Sequence, residues 1–324
     1  MSKIDIKDRK ILYELDQNCR QSNSQIGKKV GLGRDVVSYR IKKMEEEGII
    51  QNYWAHIDNF KLGYNVFRIY INFQYITNDV KEKIISYFVD YPNSWVVASS
   101  KSEIDLAVVI WVDNIYYFYK FWSETLDKFE QYFEKHTISI YIGADVYKKT
   151  FLLFDNKEEK RLICNMRCSK KKIEIDELDY KLLNELVVNA RAQLIDLAEK
   201  FDCSSQSINY RIKNLLKSGV IIGFRVKIDL SKLNLQHFKL DIYLKKHKLK
   251  KDIIRYLEEK NYLEYMNYSM GWSDLEPEFV VRDMNEMLSI LDEINNTFSG
   301  AIKKQSFFIV DKVYKLRCMP QIKF

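Results

Sequence analysis

Apolar residues between positions 33 and 50 recur with the period of an α-helix. Val37, Ile41 and Met44 fall on one face of such a helix, whereas most positions between them are polar or charged. This pattern predicts a helix that packs one stripe against a core. Gly48 then supplies the left-handed backbone angle at which helices often stop, and the apolar pair after it begins an extended segment.

The same pattern returns 171 residues later. Aligned at this offset without a gap, residues 4–62 and 175–233 are identical at 20 of 59 positions. Ordinary residue frequencies would give roughly four identities. The matches include Tyr-Arg-Ile-Lys at 39–42 and 210–213. Beyond residue 62 identity fades but the order of predicted elements persists, so we predict one structural unit written twice.

Two shorter helical patterns precede this helix in the first unit. Lys7–Asn18 carries apolar residues at helical spacing, and Ser24–Val30 begins with a serine that we predict to be its N-cap. The turn Gly31-Leu32-Gly33 joins the second helix to the third, and residues 49–58 follow as an extended segment. Three short helices with a glycine turn before the third indicate a winged helix-turn-helix.

The rest of each unit predicts the order β-α-β-β-α-β, which is the order of a ferredoxin-like sandwich. In the first unit the predicted strands are Val66–Tyr75, Trp95–Ser99, Ile104–Val112 and Thr137–Val146, and the helices are Asp79–Val89 and Asn114–Phe133. In the second unit the strands are Leu235–Leu244, Leu263–Ser269, Glu278–Arg282 and Ala301–Tyr314, and the helices are Lys250–Glu259 and Asn285–Thr297. The predicted fold class is therefore α+β, a winged helix-turn-helix followed by a ferredoxin-like sandwich, with the pair repeated.

These elements divide the chain into five predicted segments. They are a helix-turn-helix domain at 1–62 (head 1), a ferredoxin-like domain at 63–154 (sandwich 1), a linker at 155–172, a helix-turn-helix domain at 173–233 (head 2) and a ferredoxin-like domain at 234–324 (sandwich 2). The linker carries seven basic and three acidic residues. We interpret it as a solvated connector, with contact to nucleic acid as the alternative.

Composition narrows the class of protein. Of the 324 residues, 47% are hydrophobic and 30% are charged, with a net charge of +7, which is typical of a soluble globular protein and consistent with a nucleic-acid partner. We find no apolar run long enough to span a bilayer and no signal-peptide core at the amino terminus, so we expect a cytoplasmic location. Cys164 and Cys168 could share a helix face and bind a metal, but no second ligand pair follows them, so we predict no metal and no other cofactor.

The ordered motifs resemble the Lrp/AsnC family of transcription regulators. Asp5-Ile6 with Asp8 is similar to the family's opening helix, and Tyr39-Arg40-Ile41-Lys42 with Gly48 is similar to its recognition helix. The second unit repeats the set at Asp176, Asp179, Leu183, Arg191, Ser204, Arg211, Ile212, Gly219, Val220 and Ile221. The resemblance implies two DNA-binding heads and two of the family's sandwich domains, called RAM domains. It also implies an intrachain pseudo-dimer of the RAM domains, further homo-oligomers and a response to amino acids.

Helix-turn-helix recognition, combined with the resemblance, predicts the residues that face double-stranded DNA. Arg34 would meet a guanine edge in head 1, and Gln206 and Asn209 would meet adenine edges in head 2. Lysines further along each helix would meet phosphates. The full predicted set is Arg34, Ser38, Tyr39, Arg40, Lys42 and Lys43 in head 1, and Ser204, Ser205, Gln206, Asn209, Tyr210, Arg211 and Lys213 in head 2. For Arg40 and Arg211, a clamp on a carboxylate of the same head is an equal alternative.

The two heads differ in charge. Head 1 carries 12 basic and 9 acidic residues, whereas residues 173–233 of head 2 carry 9 of each. We therefore expect head 1 to bind DNA more strongly and the preferred site to be an imperfect palindrome. The three acids at 45–47 would repel phosphates, so we expect them to face away from DNA.

In the Lrp/AsnC family, a Gly-x-x-Asp motif at the hairpin between the second and third sandwich strands contributes to the amino-acid site. Sandwich 2 matches this motif with Gly271 and Asp274, while sandwich 1 has Ser102 and Asp105 and so lacks the glycine. Glycine lets a ligand approach the backbone closely. The resemblance thus implies an effector site at Gly271 and Asp274 and a weaker counterpart at Asp105, with a plain hairpin turn as the alternative for Gly271.

Two rival functions remain open. Siroheme decarboxylases share this fold and use histidines and arginines on a tetrapyrrole, but the four histidines here (56, 136, 237 and 247) do not repeat at the offset of 171. With no paired carboxylates, phosphate loop or nucleophile motif in the sequence, we predict no enzyme activity. The other rival is an assembly scaffold whose heads have lost DNA binding, which the neutral head 2 favours. The aromatic-rich helix at 114–133 is predicted to pack against a neighbouring unit or subunit, with a cofactor pocket as the alternative.

Overall fold

The structure is a computed structural model that describes residues 4–100, 103–153, 161–168 and 172–321. The described helices are α1 (Ile6–Gln17), α2 (Asn23–Val30), α3 (Arg34–Glu46), α4 (Asn78–Asp90), α5 (Ile115–Phe129), α6 (Glu177–Leu186), α7 (Leu194–Lys200), α8 (Ser205–Lys217), α9 (Lys250–Glu258) and α10 (Met284–Thr297). The described strands are β1 (Ile50–Ile57), β2 (Asn65–Phe73), β3 (Ser94–Ser100), β4 (Leu106–Val112), β5 (Phe133–Tyr147), β6 (Leu162–Arg167), β7 (Ile221–Ile228), β8 (Gln236–Leu244), β9 (Leu263–Met270), β10 (Glu276–Val281) and β11 (Ile302–Leu316).

Each head consists of three helices and one strand, as the repeat predicts. α1 begins with a capping box, in which the Asp5 carboxylate accepts from the Asp8 amide and Asp8 accepts from the Asp5 amide. α2 is capped by Ser22, so the prediction of Ser24 as N-cap was wrong. Only Ser22 is followed three residues later by a glutamine, Gln25, that can complete a capping box.

The two heads are joined by their strands. β1 pairs with β7 in an antiparallel two-stranded ribbon, with Tyr53 opposite Val226 and Trp54 opposite Arg225. Each first helix also packs toward the strand of the other head: the amide after α1, at Cys19, donates to the carbonyl of Phe224 (2.8 Å). The heads therefore share one hydrophobic core, which contains buried residues of α1, α3, α6, α8 and both strands.

The two sandwiches are joined through their last strands. The first part of β5 pairs with β2 in its own unit, and the last part pairs with β9 of sandwich 2. β11 does the same from sandwich 2, pairing first with β8 in its own unit and then with β3 of sandwich 1. Eight strands thereby close a ring in the order β2-β4-β3-β11-β8-β10-β9-β5, and β5 returns to β2. Two helices pack on the outside of each unit, over cores around Phe88 and Phe279.

The boundary between α5 and β5 differs from the prediction. A helix over 114–133 was predicted, but α5 ends at Phe129 and a short 3₁₀ turn leads into β5 at Phe133. Phe133 is buried and pairs with Phe73 of β2, so packing against the sheet takes this residue into the strand. The helical spacing of residues 130–133 alone could not show that Phe133 packs with the sheet and not with the helix.

The predicted linker contains a strand. β6 pairs with β5, with Arg167 opposite Gly143 and Leu162 opposite Tyr147. Arg161, immediately before β6, is buried and donates to the main-chain carbonyl of Leu263 (2.7 Å). The interpretation as a solvated connector is therefore wrong for 161–168. Residues 154–160 and 169–171 of this region lie outside the described residues.

Cys164 lies within β6, on a strand rather than a helix face. The alternative in which it shares a helix face with Cys168 is therefore excluded.

Aromatic residues cover α5 on two sides with different outcomes. Phe118, Phe121 and Trp122 are buried against the sheet of sandwich 1. Tyr116 and Tyr119 are 65% and 67% exposed in the single chain. The buried aromatics therefore form the unit's own core, while packing of the exposed side against a neighbouring subunit stays a prediction.

Candidate nucleic-acid interface

α3 presents a polar face to solvent. Its apolar stripe of Val37, Ile41 and Met44 is buried in the head, as predicted. The exposed residues among the predicted DNA contacts of head 1 are Arg34, Ser38, Tyr39, Lys42 and Lys43. Tyr39 is 67% exposed although it is aromatic. Head 1 therefore offers a guanidinium, a phenol, a hydroxyl and two ammonium groups along one helix.

α8 offers a less basic face. Gln206, Tyr210 and Lys213 are exposed, and Ser205 and Asn209 are half-buried. Ser204 is the N-cap of α8, and its hydroxyl accepts from the Ser207 amide (3.1 Å). A DNA contact from Ser204 would have to share this hydroxyl with the helix start.

Arg40 and Arg211 are engaged within their own heads. Arg40 donates to the carboxylates of Asp5 and Asp8, both at 2.8 Å. Arg211 makes the same contacts with Asp176 (2.7 Å) and Asp179 (2.8 Å). These hydrogen bonds raise the pKa of Arg40, with Asp8 contributing most. The geometry favours the intrahead clamp, which ties the recognition helix to the start of the first helix in both heads.

Two lysines that the sequence reasoning missed connect the recognition helices to the opposite heads. Lys232 donates to the carbonyl of Glu47 at the end of α3, and Lys61 donates to the carbonyl of Ser218 (3.2 Å) at the end of α8. Positive charge at a helix C-terminus satisfies free carbonyls and favours the helix dipole. Lys61 and Lys232 are identical at the offset of 171, which is the signal that marked them.

One of the three acidic residues at positions 45–47, at the end of α3, is held by a hydrogen bond. Glu45 accepts a hydrogen bond from the Tyr53 hydroxyl (2.5 Å) on the strand of the same head. Burial and then Glu45 raise the pKa of Tyr53 well above its usual range. Lys42 lies 3.7 Å from Glu46, and both side chains are exposed. That residues 45–47 face away from DNA stays a prediction.

The predicted effector residues lie in the hairpin between β9 and β10 and in the matching hairpin of sandwich 1, and both aspartates accept a hydrogen bond from a neighbouring strand. The Asp274 carboxylate accepts from the Leu244 amide (2.7 Å), and Asp105 accepts from the Phe73 amide (2.8 Å) at the matching place in sandwich 1. Gly271 has a φ of +83°, and a Cβ there would lie 3.2 Å from the Ile138 carbonyl oxygen. These contacts give all three residues a structural role. Ser102 lies outside the described residues.

The part of the chain that the structure covers contains neither a candidate metal site nor a helix able to span a membrane. Within it, no group of three His, Cys, Asp or Glu residues is arranged to hold a metal ion. The helices in the same ranges are all too short or too polar to cross a membrane.

Comparison with known proteins shows which proteins parts of this chain resemble. A model of the winged helix-turn-helix DNA-binding family matches residues 4–51 and again 175–222. The chain is 36% identical over 86 residues to the proline dehydrogenase transcriptional activator of Rhodobacter capsulatus. These residues make up 26% of this chain and 53% of that protein. It is 39% identical over 66 residues to the HTH-type transcriptional regulator LrpA of Pyrococcus horikoshii. These residues make up 20% of this chain and 47% of that regulator. The chain thus spans about half the length of the curated relatives it matches.

A solved structure matches the architecture over almost the whole chain. The siroheme decarboxylase NirDL superposes with a TM-score of 0.64 over 97% of this chain and 94% of its own, at 11% identity. At that identity the match shows a shared fold alone. The α+β class and the two repeated units are confirmed by the helices and strands of the chain itself. The two heads carry the sequence similarity, through their matched helices and strands. Both heads match the model of the winged helix-turn-helix DNA-binding family, and part of the chain is similar to the Lrp-type regulator LrpA.

Proposed function

We propose that the chain is a sequence-specific, DNA-binding transcription regulator of the Lrp/AsnC type, working in the cytoplasm as a fused pseudo-dimer. The observation that carries the proposal is the pair of exposed recognition helices, α3 and α8, held in heads that share one core. The antiparallel ribbon of β1 and β7 fixes how the heads lie relative to each other. One chain would therefore present two recognition helices in a constant arrangement, as dimeric helix-turn-helix proteins do.

The chemistry of the exposed residues predicts what each helix reads. Arg34 has the donor geometry for guanine, and Gln206 has the paired donor and acceptor for adenine. Lys42, Lys43 and Lys213 would contribute phosphate contacts that depend on salt. Because the two helices carry different side chains at their N-terminal ends, the two half-sites would differ.

The test is genome-wide binding of the tagged chain, followed by gel shifts on the recovered fragments and on the region upstream of its own gene. We expect a small set of sites, and an affinity that falls steeply as salt rises. Uniform weak binding to every fragment would contradict sequence-specific regulation, and no binding to any fragment would favour the assembly scaffold.

We further propose that a small molecule such as an amino acid acts at the hairpin of Gly271 and Asp274. The supporting observation is that an acidic side chain and a glycine with a positive φ lie in the same hairpin. A ligand amino group would share the Asp274 carboxylate with the Leu244 amide. Calorimetric titration of the twenty amino acids, repeated on Asp274→Asn, tests this site; no heat with any of them would contradict an amino-acid effector.

The second candidate function is a decarboxylase acting on a tetrapyrrole, favoured by the fold shared with NirDL over 97% of the chain. Titration with haem or siroheme separates the two functions. A regulator of DNA should give no Soret shift, whereas a saturable shift together with failed gel shifts would favour the enzyme.

A further inference from the structure

Four buried charges meet where the inner faces of the two sandwiches oppose each other. Arg68 on β2 forms an ion pair with Glu276 on β10. Lys239 on β8 lies 2.8 Å from Glu276 and 2.5 Å from Asp241. Each of the four residues is at most 6% exposed. Burial raises the pKa of Glu276, but Arg68 and Lys239 outweigh it and bring the pKa to about 2, so this carboxylate stays charged.

The charges are divided unevenly between the two units. Sandwich 1 contributes one cation, Arg68, whereas sandwich 2 contributes Lys239 together with the carboxylates Asp241 and Glu276. Strand register identifies the corresponding positions. Arg68 on β2 pairs with Val109 on β4, and Lys239 on β8 pairs with Glu278 on β10. Arg68 therefore corresponds to Lys239 and Val109 to Glu278. In the same register Tyr70 corresponds to Asp241, and Ala107 corresponds to Glu276. Sandwich 1 therefore has no carboxylate at either of these positions.

The sum of these charges depends on which units face each other. Sandwich 1 against sandwich 2 gives two cations and two anions, which is neutral. Two copies of sandwich 1 would bury two arginines without a carboxylate at these positions, and two copies of sandwich 2 would bury four carboxylates against two lysines. Uncompensated charge is strongly unfavourable in a protein interior, whereas a paired and hydrogen-bonded charge is tolerated.

We propose that these four charges select the partner: the inner face of sandwich 1 accepts sandwich 2 and rejects a second copy of itself. The device is a specificity element that combines attraction for the correct partner with repulsion of the wrong one. A consequence is that head 1 always lies beside head 2, because each head continues directly into its sandwich. This inference rests on the described pairing of the strands and does not depend on DNA binding.

Charge reversal in the full-length chain tests the attraction. Arg68→Glu would leave three carboxylates against Lys239, and Glu276→Arg would leave three cations against Asp241. We expect either change to lower the urea midpoint by about 1 M or more, or to send the chain into the insoluble fraction. The double variant R68E/E276R restores neutrality and should regain most of the midpoint and the soluble yield.

The matched control for reversal is Arg282→Glu, since Arg282 is exposed and forms an ion pair with the neighbouring, partly exposed Glu286. We expect this variant to unfold close to the unmodified chain. The proposal is overturned if R68E behaves like R282E, or if the double variant is no more stable than the worse single variant.

Partner selection has its own test, which uses two full-length chains. In a mixture of R68E chains and E276R chains, exchange of sandwiches creates one reversed pair and one original pair, and both are neutral. Co-expression should therefore restore soluble yield and a urea midpoint near that of the double variant. If the mixture shows only the two transitions of the separate variants, charge stabilises the interface without choosing the partner, and the proposal fails.

Discussion

The chain packs a first helix onto the opposite head's strand in two corresponding places, and the two places use different chemistry. Where α1 meets β7, Asp16 accepts two hydrogen bonds from Arg225, at 3.1 and 2.5 Å, and both side chains are buried. Lys149 lies between Asp16 and Glu264, extending the ion pair into sandwich 2. Where α6 meets β1, the corresponding positions hold Val187 and Trp54. At these two positions one junction is ionic and the other holds apolar residues, on the same backbone frame.

This difference shows what fusion of two copies permits. In a symmetric dimer the same patch occurs on both subunits, so an acid at one junction would be an acid at both. A fused chain can place the acid on one copy and the base on the other. The inner faces of the sandwiches follow the same rule, with Arg68 in one unit and Glu276 in the other. The heads follow it on their surfaces, since only head 1 carries a basic excess.

Making the two junctions alike should have the largest effect. Asp16→Val copies the apolar junction on one side only, and it leaves Arg225 buried without its carboxylate. We expect it to cost about 3–5 kcal/mol of unfolding free energy. Adding Arg225→Trp completes the copy and should recover a large part of the loss, because a buried ion pair can often be replaced by apolar residues. Urea unfolding of the two variants measures the difference.

A double variant no more stable than D16V alone would contradict this account. It would mean that the ionic junction is required for packing, and that the charges are not interchangeable with the apolar pair.

His56 should distinguish the ionic junction by its dependence on pH. Burial, followed by Arg225 and Lys149, lowers the pKa of His56 from 6.5 to about 3. The unfolded chain therefore takes up the proton first as the pH falls. The stability that neutral His56 contributes is present above pH 6.5 and is lost toward pH 3, at about 1.4 kcal/mol per pH unit.

The variant His56→Gln removes this titration. The difference in unfolding free energy between the original chain and H56Q should therefore narrow as the pH falls from 6.5 to 4. His247→Gln, the same substitution at an exposed histidine, is the matched control. A constant difference between the original chain and H56Q would show that folding does not change the pKa of His56.

The repeat explains why so much of the frame could be predicted. Apolar spacing and the 171-residue offset gave both heads and the order of strands and helices in both sandwiches. Ser22 was missed although the glutamine of its capping box lies three residues later. β6 was missed because the charges around it dominate the segment. The Asp16–Arg225 pair joins residues 209 positions apart, and no local pattern contains such a contact.

The DNA-facing ends of α3 and α8 should show a smaller asymmetry. We expect Arg34→Ala to weaken binding to a natural site by about 1–3 kcal/mol, because a bidentate contact to guanine would be lost. Gln206→Ala should cost less, since head 2 carries no basic excess. Quantitative footprinting of both variants, with Arg282→Ala in sandwich 2 as a control, measures the two losses. Equal losses on a perfectly symmetric site would remove the distinction between the heads.

The clamps of Arg40 and Arg211 should show almost no asymmetry, because both heads build them from the same residues. Their side chains are 26% and 24% exposed, so we expect Arg40→Gln and Arg211→Gln each to cost roughly 0.2–1 kcal/mol of stability. Neither should change the slope of DNA affinity against salt, since a clamped guanidinium contributes no phosphate contact. Lys42→Gln is the comparison and should lower that slope by about 1. A matching fall for R40Q would show that Arg40 leaves Asp5 and Asp8 for the DNA backbone, and that the clamp holds only in the free protein.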